Sequence, residues 1–341
     1  MKKKISITDI AKQLDISITT VSFVLNGKAE EKRISKEVIE KVLNLVAELN
    51  YKPNQLAKSL RTGKTHIIGL IVEDIANAFF ANIARQIEDN AYKKGYRIIY
   101  CSTENIPNKS KELISMFRDR HVDGYIITPS EGIEEEIKAL LDDGLPVVLF
   151  DRYLARVPTN YVVIDNYGGT FAAANHLLQQ GYNQVAFITI KSEQTQMLER
   201  LYGYERAMKM HHKEILVKRV GYLNMREEVV QQTCSFIKEN PNVDAILFAT
   251  NYLGIYGIEA LKLLKIKIPT EMGVVSFDDH DLFQVYSPTI TVIQQPIEEI
   301  SNQLIKILLE NLSGSIKPRK NQTMILPPNL VIRESSQKII E

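Results

Sequence analysis

The sequence predicts an all-α helix-turn-helix headpiece followed by an α/β body of two doubly wound parallel-sheet subdomains. Three observations predict it. Over residues 1–50, apolar residues recur at helical spacing in short, separately capped segments. From His66 onward, near-continuous apolar runs alternate with helical periodicity, the pattern of parallel strands covered on both faces. Those runs fall into two sets, so two sheets are expected.

In the head, Ser6 caps a first helix, with Asp9 three positions on as a weak capping box, and Ile7, Ile10, Ala11 and Leu14 repeat along it. Asp15, tolerant of the left-handed conformation, ends it. Ser17 caps a second helix running from about Ile18 to Leu25, whose apolar face is Val21, Val24 and Leu25. Ile18, Thr19 and Ser22 lie off that face. An outer surface so short, polar and uncharged suits a helix pressed into the major groove of DNA. Asn26-Gly27 stops the helix. Ser35 caps a third, with Val38, Ile39, Val42, Val46 and Leu49 on one side.

In the body, Ile67–Val72, Tyr96–Cys101, Gly124–Ile127, Val147–Phe150 and Tyr161–Ile164 form the first set of strands. Val185–Ile188, Ala245–Phe248 and Gly273–Phe277 form the second. Ligands of open α/β sheets bind beyond the carboxyl ends of the strands.

Composition narrows the function. The overall charge of +1 conceals 13 Lys/Arg against 7 Asp/Glu in residues 1–65, and 29 against 34 in the remainder. A basic head on a mildly acidic body suggests that the head meets phosphate. No apolar run approaches the roughly 20 residues of a membrane span, and no apolar signal-peptide core follows the basic start. Cys101 and Cys234 make neither a disulfide framework nor a metal knuckle. A cytoplasmic protein is expected.

The chain resembles the LacI-type family of bacterial transcription regulators. Ser6–Ala11, Ser17–Ser22, Val24–Gly27 and Tyr51–Asn54 match its headpiece pattern in order and spacing, and Asn54–Gly63 looks like its hinge helix. The resemblance implies a headpiece at 1–50, a hinge helix and linker at 51–65, and a periplasmic-binding-protein-like body at 66–341. Crossovers near Asp165, Val292 and Leu326 would divide the body into an N-subdomain (about 66–165 plus 293–325) and a C-subdomain (about 166–292 plus 326–341).

It also implies roles. Ile18 and Thr19 would read base edges, while Ser17, Thr20, Ser22 and Asn26 would bind phosphate or support the helix. In the hinge, Asn54, Ala57, Lys58, Leu60 and Arg61 would meet the minor groove, with Ala57 allowing close approach and Leu60 wedging between base pairs. Phe23 departs from the pattern, standing where the family usually has an arginine that pairs with guanine or phosphate. It would touch a thymine methyl or pack inward. The loop Lys28–Arg33 is unusually long and charged; it is read as a solvated loop, the alternative being that its basic residues reach the DNA backbone.

For the effector, the resemblance and the strand ends together nominate Asn77, Phe79, Asp151, Arg152, Arg200 (in the family's Arg-x-x-Gly), Asn251, Asp278 and Gln295. Carboxylates and amides bridge neighbouring hydroxyls, an arginine offers a fork of donors, and a phenyl ring covers a C–H face. The set suits a sugar; a purine or nucleoside is the alternative. Tyr252 stands where the family usually has Asp, and Ala78 where it usually has Pro.

Catalytic and cofactor motifs are missing. Gly63-Lys64-Thr65 fails as a phosphate loop because Lys58 occupies the position of its first glycine. Neither a metal-ligand spacing nor a Gly-x-Ser-x-Gly elbow is present. The expectation is a non-enzymatic, ligand-controlled DNA-binding regulator, acting as a homodimer on a near-palindromic operator because a hinge helix of about two turns needs a symmetry mate to persist. No heptads that would drive tetramers are seen after Val331. A sugar-binding transport component and a sugar- or nucleotide-processing enzyme share the body pattern. The first leaves the head unexplained, and the second needs a catalytic constellation.

Overall fold

In this computed structural model the chain is described over residues 5–51, 63–221, 226–313 and 321–338. It divides into two compact units, residues 1–65 and 66–341. The hinge residues Asn54, Ala57, Lys58, Leu60 and Arg61 lie outside the described residues.

The first unit holds α1 (Ile7–Gln13), α2 (Ile18–Leu25) and α3 (Lys36–Glu48). All three begin at a serine whose hydroxyl accepts from a first-turn amide: Asp9 on Ser6, Thr20 on Ser17 and Val38 on Ser35. At α1 the capping box is complete, because the Ser6 amide also donates to Asp9 Oδ2 at 2.8 Å. Asp15 turns the chain at φ 52° and Gly27 at φ 70°. The core is small: Ile10, Ala11, Val21, Val24, Ala29, Val42 and Leu45 are buried, with Val38, Ile39, Val46 and Leu49 at its rim. Ala29 plugs into it and anchors the loop before α3, while Lys28 and Glu30–Arg33 are exposed, as the solvated-loop reading expects. A turn closed by Lys32 N–Lys28 O (3.1 Å) and Ile34 N–Ala29 O (2.9 Å) follows that anchor.

The second unit contains two six-stranded sheets. The first has the order β11-β5-β4-β3-β1-β2. Its strands are β1 (Ile67–Val72), β2 (Arg97–Ser102), β3 (Gly124–Ile127), β4 (Val147–Phe150), β5 (Asn160–Ile164) and β11 (Thr323–Leu326), and all its pairings are parallel. The second has the order β12-β10-β9-β8-β6-β7. It comprises β6 (Val185–Ile190), β7 (Leu216–Val220), β8 (Ala245–Phe248), β9 (Gly273–Phe277), β10 (Thr291–Gln294) and β12 (Asn329–Val331), with β12 alone antiparallel. Strands β3, β4, β6, β8 and β9 are buried along their whole length, as strands sandwiched between helix layers must be.

The chain passes between the lobes three times: after β5, after β10 and after β11. The middle passage corrects the expected boundary near Val292. Val292 and Ile293 continue the ladder beside Ser276 and Phe277 of β9, so the chain leaves the second sheet only after Gln294. The helix Ile297–Leu312 then packs against β3, β4 and β5 of the first sheet. Among the described residues no helix is long and apolar enough to cross a membrane.

Candidate functional site

In the headpiece, α2 turns Val21 and Val24 into the core, which leaves the opposite side of the helix outward. Ile18 is 46% exposed and Thr19 is exposed, so both are open to a partner surface. Ser17, Thr20, Ser22 and Asn26 are engaged with one another. The Ser17 and Thr20 hydroxyls lie 2.8 Å apart, and Asn26 Nδ2 donates to the Ser22 carbonyl at 2.7 Å. They hold the helix in shape. Phe23 neither packs inward nor stands free. It is half-buried, with the Lys32 ammonium 5.4 Å from the centre of its ring. The two departures from the family pattern, the phenylalanine and the long basic loop, therefore touch.

In the body, β1, β4 and β9 deliver Glu73, Asp151 and Asp278 immediately beyond their last residues. Asp151 (φ 68°) and Asp278 (φ 64°) both adopt the left-handed conformation there, one in each lobe, which turns the chain sharply off the strand end. Burial pushes the Asp151 carboxyl up to about 6, with Arg152 and Arg200 opposing and Glu73 and Asp278 reinforcing the shift. Burial likewise raises Asp278, against the pull of Arg200 and of the Gln295 amide, which donates to its Oδ1 at 2.7 Å.

Arg200 reaches this place from the helix Thr195–Met210 because Gly203 lets that helix press onto the helix Asn166–Gln179. A Cβ at 203 would collide with the Tyr167 carbonyl oxygen. The guanidinium lies 3.6 Å over the Phe277 ring and donates from Nε to Asn166 Oδ1 and from Nη1 to the Ala249 carbonyl, each at 2.8 Å. Among the described residues none accepts from Nη2, so Arg200 is held rigidly with one donor edge to spare.

These groups line an inner cavity of about 30 Å³, together with Asn77, Phe79, Gln194, Gln196 and Tyr252. That volume holds about one water molecule, so the lobes are closed on each other. Three nominated residues are not in its wall. Asn251 is spent on a reciprocal amide pair with Asn77 (3.1 and 3.3 Å) that ties the second lobe to the first. Gln295 lies in a larger outer groove of about 850 Å³ and steadies Asp278. Arg152 departs furthest from expectation. Only 2% exposed, it donates to Glu73 Oε2 (2.7 Å), the Pro129 carbonyl (2.7 Å) and Asn105 Oδ1 (2.6 Å) in its own lobe, and to Gln194 Oε1 (2.8 Å) in the other. With four of its five N–H groups taken up by protein, it latches the lobes and stands behind the cavity wall.

Glu73, Gln194 and Gln196 were not among the nominated residues. Gln196 is 4% exposed and its Oε1 has no hydrogen-bond partner among the described residues, a buried acceptor facing the cavity it lines. The strand-end rule finds the glutamines once β6 is extended to Ile190, two residues past its expected end. Tyr252 fills space where an aspartate was expected. Burial raises its hydroxyl well above the usual tyrosine range, so it serves as a neutral donor and acceptor.

A helix-turn-helix with an open outer face, and a two-lobed body with a polar cavity at its strand ends, define a ligand-controlled, DNA-binding transcription regulator. Residues 6–54 match the bacterial regulatory proteins of the lacI family, and residues 174–336 match a periplasmic binding protein-like domain. The chain is 30% identical to the HTH-type transcriptional regulator DegA of Bacillus subtilis, over 98% of this chain and 99% of that one. It is 29% identical to the ribose operon repressor of Halalkalibacterium halodurans, over 97% of each. Its fold matches the lac repressor dimer bound to operator, with a TM-score of 0.84, 22% identity, and coverage of 98% of this chain and 99% of that one. The protein belongs to the lacI family of bacterial regulatory proteins.

Proposed function

We propose that this regulator is a cytoplasmic homodimeric repressor, and that a small polyhydroxylated effector, a sugar or sugar derivative, controls its hold on a near-palindromic operator. The observation that carries the effector is the unspent polar surface of the inner cavity. Arg200 Nη2 offers a donor, while Gln196 Oε1 and the Asp151 and Asp278 carboxylates offer acceptors. Hydroxyl groups satisfy both kinds at once. Phe79, which also lines the cavity, presents a flat apolar face to a sugar's C–H side. The name of the ribose operon repressor agrees with a carbohydrate-responsive relative.

Ile18 and Thr19 read base edges, Ser17, Thr20, Ser22 and Asn26 set the helix against the backbone, and Phe23 carries Lys32 alongside. In the hinge, Leu60 is the wedge and Asn54, Ala57, Lys58 and Arg61 line the minor groove. Effector binding favours one degree of lobe closure, and the dimer passes that preference to the hinge spacing; a ligand indifferent to closure would shift nothing. Operator sequences are to be selected from random DNA with the full-length protein, then measured with Leu60→Ala. Affinity and bending are expected to fall by at least about tenfold, the scale of a lost unstacking wedge worth a few kcal/mol, while the melting temperature of the body stays put. Undiminished operator affinity in the variant would remove the hinge from the reading.

A further inference from the structure

The inner cavity and the outer groove share two wall residues, Phe79 and Asp278. Both are nearly buried, at 6% and 8% exposure, so they form a thin partition between the spaces. Asp278 is bound from one side only. Gln295 occupies its Oδ1, and Oδ2 has no hydrogen-bond donor among the described residues. The groove beyond is about 850 Å³, ample for a sugar ring and its substituents.

The chemistry of the groove is one-sided. Asp279 is consumed by Arg333 at 2.7 and 2.9 Å, but Asn82, Asp281 and Glu298 are exposed and have no hydrogen-bond or ion-pair partner among the described residues. No Lys or Arg lines it. The inner cavity adds Glu73, Asp151 and Asp278 against Arg200 as its one basic wall residue. Acceptors in such excess pair with hydroxyl or ammonium donors and repel phosphate.

We propose that the effector is a glycoside of two or more rings, uncharged or amine-bearing, with one ring in the inner cavity and the next in the outer groove beyond Phe79 and Asp278. This rests on the effector reading above and sharpens it: phosphorylated sugars and nucleotides are excluded. Gln196 Oε1 and Arg200 Nη2 engage the inner ring, Asp278 Oδ2 bridges the two, and Asp281 and Glu298 accept from hydroxyls or an amine on the outer one.

The test is isothermal titration calorimetry on the full-length protein with free mono-, di- and trisaccharides, their amino-sugar counterparts, glucose 6-phosphate, ribose 5-phosphate and AMP. The tightest ligand is expected among the longer glycosides, at least tenfold tighter than its own terminal monosaccharide, with no heat from the phosphate esters. Glu298→Gln combined with Asp281→Asn, both at exposed side chains, should erase that tenfold margin and leave monosaccharide binding unchanged. A monosaccharide that binds as tightly as every longer glycoside, a phosphate ester as best ligand, or a margin that survives the double substitution each overturns the two-ring site while the effector reading stands. Silence from every probe overturns both.

Discussion

The headpiece and the cleft store their functional groups in opposite ways. On α2 the proposed base contacts, Ile18 and Thr19, are exposed and their neighbours bond only locally. In the cleft nearly every polar side chain is buried and already engaged, often across the lobes. A surface that reads DNA meets its partner with hydration still available, so its groups need no internal partners. A closed cleft has little such reserve, so most of its charges are matched by protein and only a few donors and acceptors, such as Arg200 Nη2 and Gln196 Oε1, are left over. Function and stability are therefore separable in the first region and entangled in the second.

Arg152→Met probes the entanglement most severely. It leaves Glu73 buried without its cation, and urea unfolding of the body should show a loss of about 3–5 kcal/mol. Adding Glu73→Gln should recover a large part of it, a coupling that a double-mutant cycle measures. Equal losses in the single and double variants would mean that the two buried charges are not coupled.

Asp151→Asn comes next and carries a pH signature. Because burial holds its folded carboxyl near 6, above the ordinary value of 3.8, the folded state retains a proton that the unfolded chain has released. The associated stability is present below about pH 4 and is lost as pH rises through 6. Two pKa steps correspond to about 3 kcal/mol. The asparagine variant should accordingly be more stable than the parent at pH 8 and indistinguishable near pH 4, read from melting curves across that range. A constant difference at all pH values would place the origin elsewhere.

Effects in the headpiece are smaller on stability and larger on recognition. Ser17→Ala removes the α2 cap and should cost about 1 kcal/mol in headpiece unfolding. Thr19→Ala should change stability by less than about 0.5 kcal/mol yet reduce discrimination between operator and mismatched DNA by roughly 1–3 kcal/mol. A thermal penalty at Thr19 larger than at Ser17 would erase the contrast between the two regions.

The same contrast explains what was legible in the sequence. Helices α1 to α3 announce themselves through local chemistry: serine caps, Asp15, and Asn26-Gly27. The central strands are continuous apolar runs because both faces are covered. At the sheet edges the signal fades. In β7, Leu216–Val220 contains Lys218 and Arg219, while β12 is three residues long. The crossover after Gln294 slipped because nothing local distinguishes a strand that ends at 292 from one that ends at 294. Among the residues lining the inner cavity, Asp151, Arg200 and Asp278 were readable because they sit at strand ends or in a motif. The latch was not, since Arg152 finds its partners at positions 73, 105, 129 and 194. Arg152 and Arg200 are both buried and alike in sequence; only their three-dimensional partners place one behind the cavity and the other in its wall.

A cavity with room for little more than a water molecule, tied across the lobes by side-chain bridges, has a consequence for the clock as well as for affinity. Any occupant larger than that must wait for the Arg152–Gln194 and Asn77–Asn251 bridges to part. Capture is then paced by the rate at which the lobes separate rather than by collision, so the observed binding rate should level off as ligand concentration rises. The bridges that keep the buried charges matched thereby also set how fast this regulator responds when its effector appears.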